Sequence, residues 1–173
     1  MARPSKLSHL VLQTNRRREM IEWYCTVLGA EILYEAERIS FVSYDDEHHR
    51  VAFLDPGPLA EHHPRAAGLH HVAFTYADLD EYVDNYLRLK DIGIRPQHCV
   101  NHGITTSMYY HDPDGNQVEL LVDNFAVAAD GNAYMRRRSK ADKNPVGIPY
   151  DPEELVARVR GGLRREELVA VNA

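Results

Sequence analysis

Leu69-His70-His71-Val72-Ala73-Phe74-Thr75-Tyr76 is the stretch on which the reading of this chain turns. Its β-branched and aromatic residues form a short strand pattern. Asp78 then offers a helix cap, and Leu79, Tyr82, Val83, Tyr86 and Leu89 recur at helical spacing until Gly93 stops the run. The same grammar stands roughly sixty residues earlier, a self-similarity to be weighed before any local motif. There Leu7-Ser8-His9-Leu10-Val11-Leu12-Gln13-Thr14 is the strand and Asn15 the cap. Met20, Ile21, Tyr24, Val27 and Leu28 make the stripe, and Gly29 the stop. Strand-like segments follow each helix: Glu31–Glu35, Arg38–Tyr44 and Arg50–Leu54 in the first copy, Arg95–Val100, Thr105–His111 and Gln117–Val122 in the second. Asp112-Pro113-Asp114-Gly115-Asn116 joins the last two, a turn in which Pro presets φ and Gly accepts a positive one. Each copy therefore reads β-α-β-β-β, over residues 7–56 and 68–124, with the Pro- and Gly-bearing segment Asp55–Gly68 as connector.

Length and composition bound the rest. At 173 residues, 44% hydrophobic and 27% charged, the chain can bury a core without disulfide staples. No apolar run approaches the ~20 residues of a transmembrane helix, and Met1–Lys6 lacks the apolar stretch of a secretory signal. Cys25 and Cys99 make no disulfide framework, so a cytoplasmic location is expected. A net charge of −6 argues against a nucleic-acid partner. The basic groups are concentrated after Met135, in Arg136-Arg137-Arg138-Ser139-Lys140, read as a solvated linker or a contact to the acidic body. In the same tail Asp130-Gly131-Asn132 reads as a turn and Ala141–Pro149 as a loop. Asp151-Pro152-Glu153-Glu154 reads as a helix start running to Gly161. Residues 1–125 are expected to form one domain and 126–173 an extension with one helix near 151–161. The extension would pack across the body or a second subunit.

Ten histidines, several in pairs, are the chemical feature of the composition. Aligning the copies sets His9 upon His71, and strand alternation puts His71 on a face with Ala73 and Thr75, opposite His70. Glu119, within Asn116-Gln117-Val118-Glu119-Leu120-Leu121, needs a partner if it points inward, because an unpaired buried carboxylate is costly. Two imidazoles and one carboxylate occupy one face of an octahedral metal and leave three positions open, an arrangement suited to non-haem Fe(II). His48-His49 and His62-His63 read as exposed polar turns. Cys25 reads as a small core residue, and Cys99 lacks the third residue a Cys–His nucleophile requires.

The two-copy pattern, with Leu69-His70-His71-Val72-Ala73-Phe74 and Asp112-Pro113-Asp114-Gly115-Asn116-Gln117-Val118-Glu119-Leu120, resembles the vicinal oxygen chelate superfamily. That group includes glyoxalase I, extradiol ring-cleavage dioxygenases, epimerases and antibiotic-resistance proteins, and the resemblance covers Leu7–Asn124. It implies an α+β fold in which two βαβββ modules form a curved mixed sheet around a metal-binding cavity, with a C-terminal helical tail added. Glyoxalase-type members take a second carboxylate from the last strand of the first copy. Here that strand, Arg50-Val51-Ala52-Phe53-Leu54, has none at its centre. The three-ligand set His9, His71 and Glu119 matches the extradiol pattern.

Extradiol enzymes also place a Tyr ten residues before the ligand Glu, and a proton-handling His further upstream. Tyr109 and His102 fill those positions. The resemblance thus implies an enzyme, an extradiol dioxygenase using Fe(II) or Mn(II) to open an aromatic diol with O₂. Neither nucleic acid nor membrane is expected as a partner, and a homo-oligomer is expected. The alternatives are a metal-dependent lyase or isomerase of glyoxalase or epimerase type and a ligand-sequestering resistance-type protein.

Overall fold

A computed structural model describes residues 1–61, 63, 65–138 and 144–169. It divides into two compact units: Met1–Gly68 with the turn Asp112–Asn116, and Leu69–His111 with the chain from Gln117 onward. Among the described residues no helix is long and apolar enough to cross a membrane.

The first unit runs β1 (Leu10–Gln13), α1 (Arg17–Leu28), β2 (Glu31–Glu35), β3 (Ile39–Ser43), β4 (Val51–Leu54). Its sheet has the order β1-β4-β3-β2, with β1 parallel to β4 and the other pairs antiparallel. Helix α1 buries the expected stripe of Met20, Ile21, Tyr24 and Val27. It ends at Gly29, whose φ of 66° is a left-handed conformation that a side chain would strain. The start differs from the expectation. Asn15 does not cap α1; its amide accepts from the backbone N–H of Leu59 and donates to the Leu59 carbonyl, both at 3.0 Å. A carboxamide matches a peptide's donor and acceptor together, so this side chain anchors the connector. The Thr14 hydroxyl oxygen instead accepts the Arg16 N–H at 2.8 Å.

The second unit repeats the order with β5 (His71–Tyr76), α2 (Leu79–Asp91), β6 (His98–Asn101), β7 (Thr105–His111) and β8 (Gln117–Asp123). Asp78 caps α2 by accepting from the Glu81 N–H, and Leu79, Tyr82, Val83, Tyr86 and Leu89 are buried beneath it. The tail adds α3 (Ala128–Arg137), β9 (Ile148–Pro149), α4 (Pro152–Arg160) and a 3₁₀ turn at Arg165–Leu168. Strand β9 joins the sheet, giving the order β5-β8-β7-β6-β9. The expected turn at Asp130-Gly131-Asn132 is instead the middle of α3. Gly131 is buried against Phe125 and Ile104, so packing of the helix overrides the local preference of that triplet. Asp151 caps α4 as anticipated. That helix is held to α2 by Glu153, which accepts from the Tyr86 hydroxyl at 2.6 Å and pairs with Lys90 at 2.5 Å. Ser139, Lys140 and residues 141–143 lie outside the described residues.

Strand register makes the internal repeat quantitative. In the second sheet one row crosses the strands as Ala73, Glu119, Tyr109, His98. In the first sheet the matching row is Val11, Ala52, Phe41, Tyr34. The alignment that set His9 upon His71 therefore also sets Ala52 at the position of Glu119 and Phe41 at that of Tyr109.

Candidate active site

Strand alternation brings His71, Ala73 and Thr75 of β5 to the same face as Glu119 of β8 and Ser107 and Tyr109 of β7. Glu119 is 5% exposed, on β8, an inner strand of the sheet. The residue directly opposite it on β5, Ala73, offers only a methyl group, so the imidazole two positions back reaches over diagonally. His71 Nε2 lies 2.9 Å from Glu119 Oε2. The other ring nitrogen of His71 is 2.8 Å from Nδ1 of His70, so one proton is shared between neighbours and the His71 ring is held from behind.

Tyr109 is the hub of this face. Its ring stacks on His98 at 4.4 Å with planes 10° apart, and meets His71 edge-on at 5.7 Å. Burial first, and then the nearby Glu119 carboxylate, push its hydroxyl well above the usual phenol value, so it stays protonated. That hydroxyl is 2.8 Å from His102 Nε2. His102 Nδ1 in turn contacts the backbone carbonyl of Val146, in the tail just before β9. A carbonyl can only accept, so Nδ1 carries the hydrogen; in the neutral ring Nε2 is then bare and Tyr109 donates to it. His98 is held below its ordinary value by partial burial and then by its histidine neighbours His111 and His102.

The predicted site residues are thus brought together in part. His71 and Glu119 touch, and Tyr109 and His102 touch each other beside them. His9 lies in the first unit, exposed, where it stacks on His49 at 4.3 Å. Among the described residues no three His, Cys, Asp or Glu side chains are gathered to hold a metal ion. The reading of His48-His49 as an exposed turn needs correction. His48 is exposed, but His49 is half-buried between His9 and Phe41, and Phe41 stacks further on Tyr34. Of the second pair, His62 lies outside the described residues and His63 is an exposed turn residue accepting from the Arg65 N–H. Burial raises the Cys99 thiol to about 12, which removes it as a nucleophile.

Three participants escaped the sequence reading: His98, His70 and the Val146 carbonyl. The first was reachable, since pairing the strands on either side of the 102–104 turn puts His98 opposite Tyr109. The last had no signal, because a main-chain oxygen has no residue type.

Two β-α-β-β-β units, one bearing an imidazole–carboxylate pair with a phenol beside it and the other bearing alanine and phenylalanine in the matching places, define a class of duplicated α+β modules. This chain belongs to the Glyoxalase/Bleomycin resistance protein/Dioxygenase superfamily, whose description matches residues 6–120. Its sequence is 47% identical over 153 residues to biphenyl-2,3-diol 1,2-dioxygenase 2 of Rhodococcus globerulus, covering 88% of this chain and 80% of that protein. It is 44% identical over 165 residues to biphenyl-2,3-diol 1,2-dioxygenase 3 of the same organism, covering 94% and 86%. Those names place the cut between ring carbons 1 and 2 of a 2,3-diol, outside the two hydroxyl-bearing carbons, so both relatives are extradiol dioxygenases. Among solved structures, a glyoxalase/dioxygenase from Nostoc punctiforme shares the fold with a TM-score of 0.58 at 18% identity, over 69% of this chain and 91% of that one.

Proposed function

We propose that this chain is an extradiol ring-cleavage dioxygenase that opens a catechol-type diol with O₂, using iron(II), or manganese(II), held by His71, Glu119 and His9. The observation that carries the reading is the contact of His71 Nε2 with Glu119 Oε2 at 2.9 Å, on a sheet face shared with the Tyr109–His102 hydrogen bond. The donor types fit: imidazole nitrogen and carboxylate oxygen are what such an ion accepts, and a carboxylate as buried as Glu119 calls for a compensating cation. His9 is assigned by the repeat, since it precedes β1 where His71 opens β5. The metal would supply the electronic path by which O₂ reacts with a closed-shell diol.

The chain's own groups do the rest. Tyr109, kept as the neutral phenol, presents a hydroxyl that can hydrogen-bond a diol oxygen and fix the ring's orientation. His102 Nε2, bare in the neutral ring, can accept the Tyr109 proton as the phenol takes up one from a diol hydroxyl, so that Tyr109 stays neutral, and can return it during ring opening. Both oxygen atoms of O₂ end in the ring-opened oxo acid, one in the new carboxylate and one in the new carbonyl, so no external reductant is required. The relatives' substrate, biphenyl-2,3-diol, heads the list of candidates. Ala52 in the register position of Glu119 speaks against the glyoxalase-type alternative, which needs a second carboxylate there.

The test is to load the full chain with iron(II) anaerobically, add a panel of catechols including biphenyl-2,3-diol, and admit air. Uptake of one O₂ per diol with a coloured ring-fission product is expected. A fully loaded protein that takes up no O₂ across the panel overturns the proposal.

A further inference from the structure

Arg138, from the basic run expected to be a solvated linker or a contact to the acidic body, and Asn144 and Val146, from the expected loop, converge on one histidine. Arg138 donates to the carbonyl of His102 at 3.3 Å and to the carbonyl of Asn144 at 3.0 Å, pinning the two segments to each other. The Asn144 side chain accepts the Gly147 N–H at 3.1 Å and so shapes the turn that presents Val146. Strand β9 then pairs with β6, Ile148 beside Asn101 and Pro149 beside Val100. At the centre of this arrangement Gly147 has a φ of 116°, and a Cβ there would stand 2.3 Å from the Asn101 carbonyl oxygen and 2.8 Å from the His102 Cα. No side chain fits: the two backbones approach as closely as only glycine permits. The consequence is chemical. Seated this way, the tail puts the Val146 carbonyl on His102 Nδ1 and leaves Nε2 facing the Tyr109 hydroxyl.

We infer that Arg138 together with the stretch Asn144–Gly147 is a positioning device for His102: it selects the Nδ1–H tautomer and thereby makes Nε2 the proton acceptor for Tyr109. Without the carbonyl, a neutral imidazole in water has no comparable reason to keep its proton on Nδ1, and a ring carrying it on Nε2 cannot accept from the phenol. Arg138, Val146 and Gly147 act through His102 and touch no reacting atom. The tautomer claim stands on this geometry alone; only its kinetic consequence rests on the dioxygenase reading above.

Nitrogen-15 histidine spectra of the full chain, compared with those of Gly147→Ala and Arg138→Met, test it. In the wild-type chain His102 should show a protonated Nδ1 and a bare Nε2. In either variant the signature should shift toward Nε2–H or an average of the two forms. kcat for ring cleavage should fall roughly 10- to 100-fold with KM changed far less, since misplacement of an acid–base group costs that much. Should Gly147→Ala fail to fold, Arg138→Met, which alters no backbone conformation, carries the test. A wild-type His102 protonated on Nε2, or folded variants that keep the wild-type tautomer, overturn the inference. A wild-type chain inactive with every diol but showing the Nδ1–H signature overturns the dioxygenase reading and leaves the positioning device standing.

Discussion

Replacing Glu119 by glutamine separates a metal ligand from a structural ion pair. The amide has the carboxylate's shape, and its carbonyl can still accept from His71 Nε2 across the same 2.9 Å. Without metal, the exchange removes a charge from a site only 5% exposed and keeps the hydrogen bond. The metal-free variant should therefore unfold within about 1 kcal/mol of wild type. Metal changes the comparison. At a free concentration 100 times its dissociation constant, a bound ion stabilises the wild-type fold by about 2.7 kcal/mol. If the neutral amide weakens binding ~100-fold, the same concentration stabilises the variant by only about 0.4 kcal/mol. Urea unfolding of both chains, with and without manganese(II) or anaerobic iron(II), reads all four numbers. The reasoning is refuted if the variant gains as much from metal as wild type. It is equally refuted if the metal-free variant loses about 3–5 kcal/mol, the cost of breaking a buried pair whose role is structural.

Tyr109→Phe keeps the ring stacked on His98 and removes only the hydroxyl bonded to His102. Ring cleavage should slow at least ~100-fold while stability changes by about 1 kcal/mol, and an unaltered kcat would exclude the proton route. With its thiol near 12, Cys99 should be thiolate in only ~1 molecule in 10⁴ at pH 8, so labelling by a thiol reagent should await unfolding; rapid labelling of the native chain would contradict the burial argument. Lys90 first and then the Tyr86 hydroxyl hold the Glu153 carboxyl below its ordinary 4.5. The depressed value means that this contact stabilises the fold above pH 4.5 and is lost as pH falls through the folded-state value. Thermal unfolding of Glu153→Gln should accordingly show a shallower loss on acidification below that pH, and an unchanged slope would remove the contact from the acid response.

The parts legible in the sequence were those written in periodicity. The stripe Leu79, Tyr82, Val83, Tyr86, Leu89, the cap Asp78 and the strand segments around Tyr109 and Glu119 all follow from spacing, and the structure has them where spacing put them. Two copies of one pattern also supply a register that a single copy lacks, and it is this register that sets His9 upon His71. What spacing could not convey was anything decided by long-range packing. Asn15 is a good cap by type, but Leu59 claims it. Gly131 is a good turn residue by type, but it lies within α3, packed against Phe125 and Ile104. Arg138 belongs to a run of like charges that reads as solvated, and only the folded tail reveals the two carbonyls it joins. The role of Val146 belongs to its peptide group and leaves no mark on the alphabet at all.

The contrast between Ala52 and Glu119 bears on how such a protein diversifies. An alanine codon ending in a purine becomes a glutamate codon by one change of its middle base. A duplicated fold of this kind therefore stands a single point mutation from carrying an acid on each of its halves. The symmetry of the ancestor persists in the backbone as an address, and the chemistry of each descendant is decided by what is delivered there.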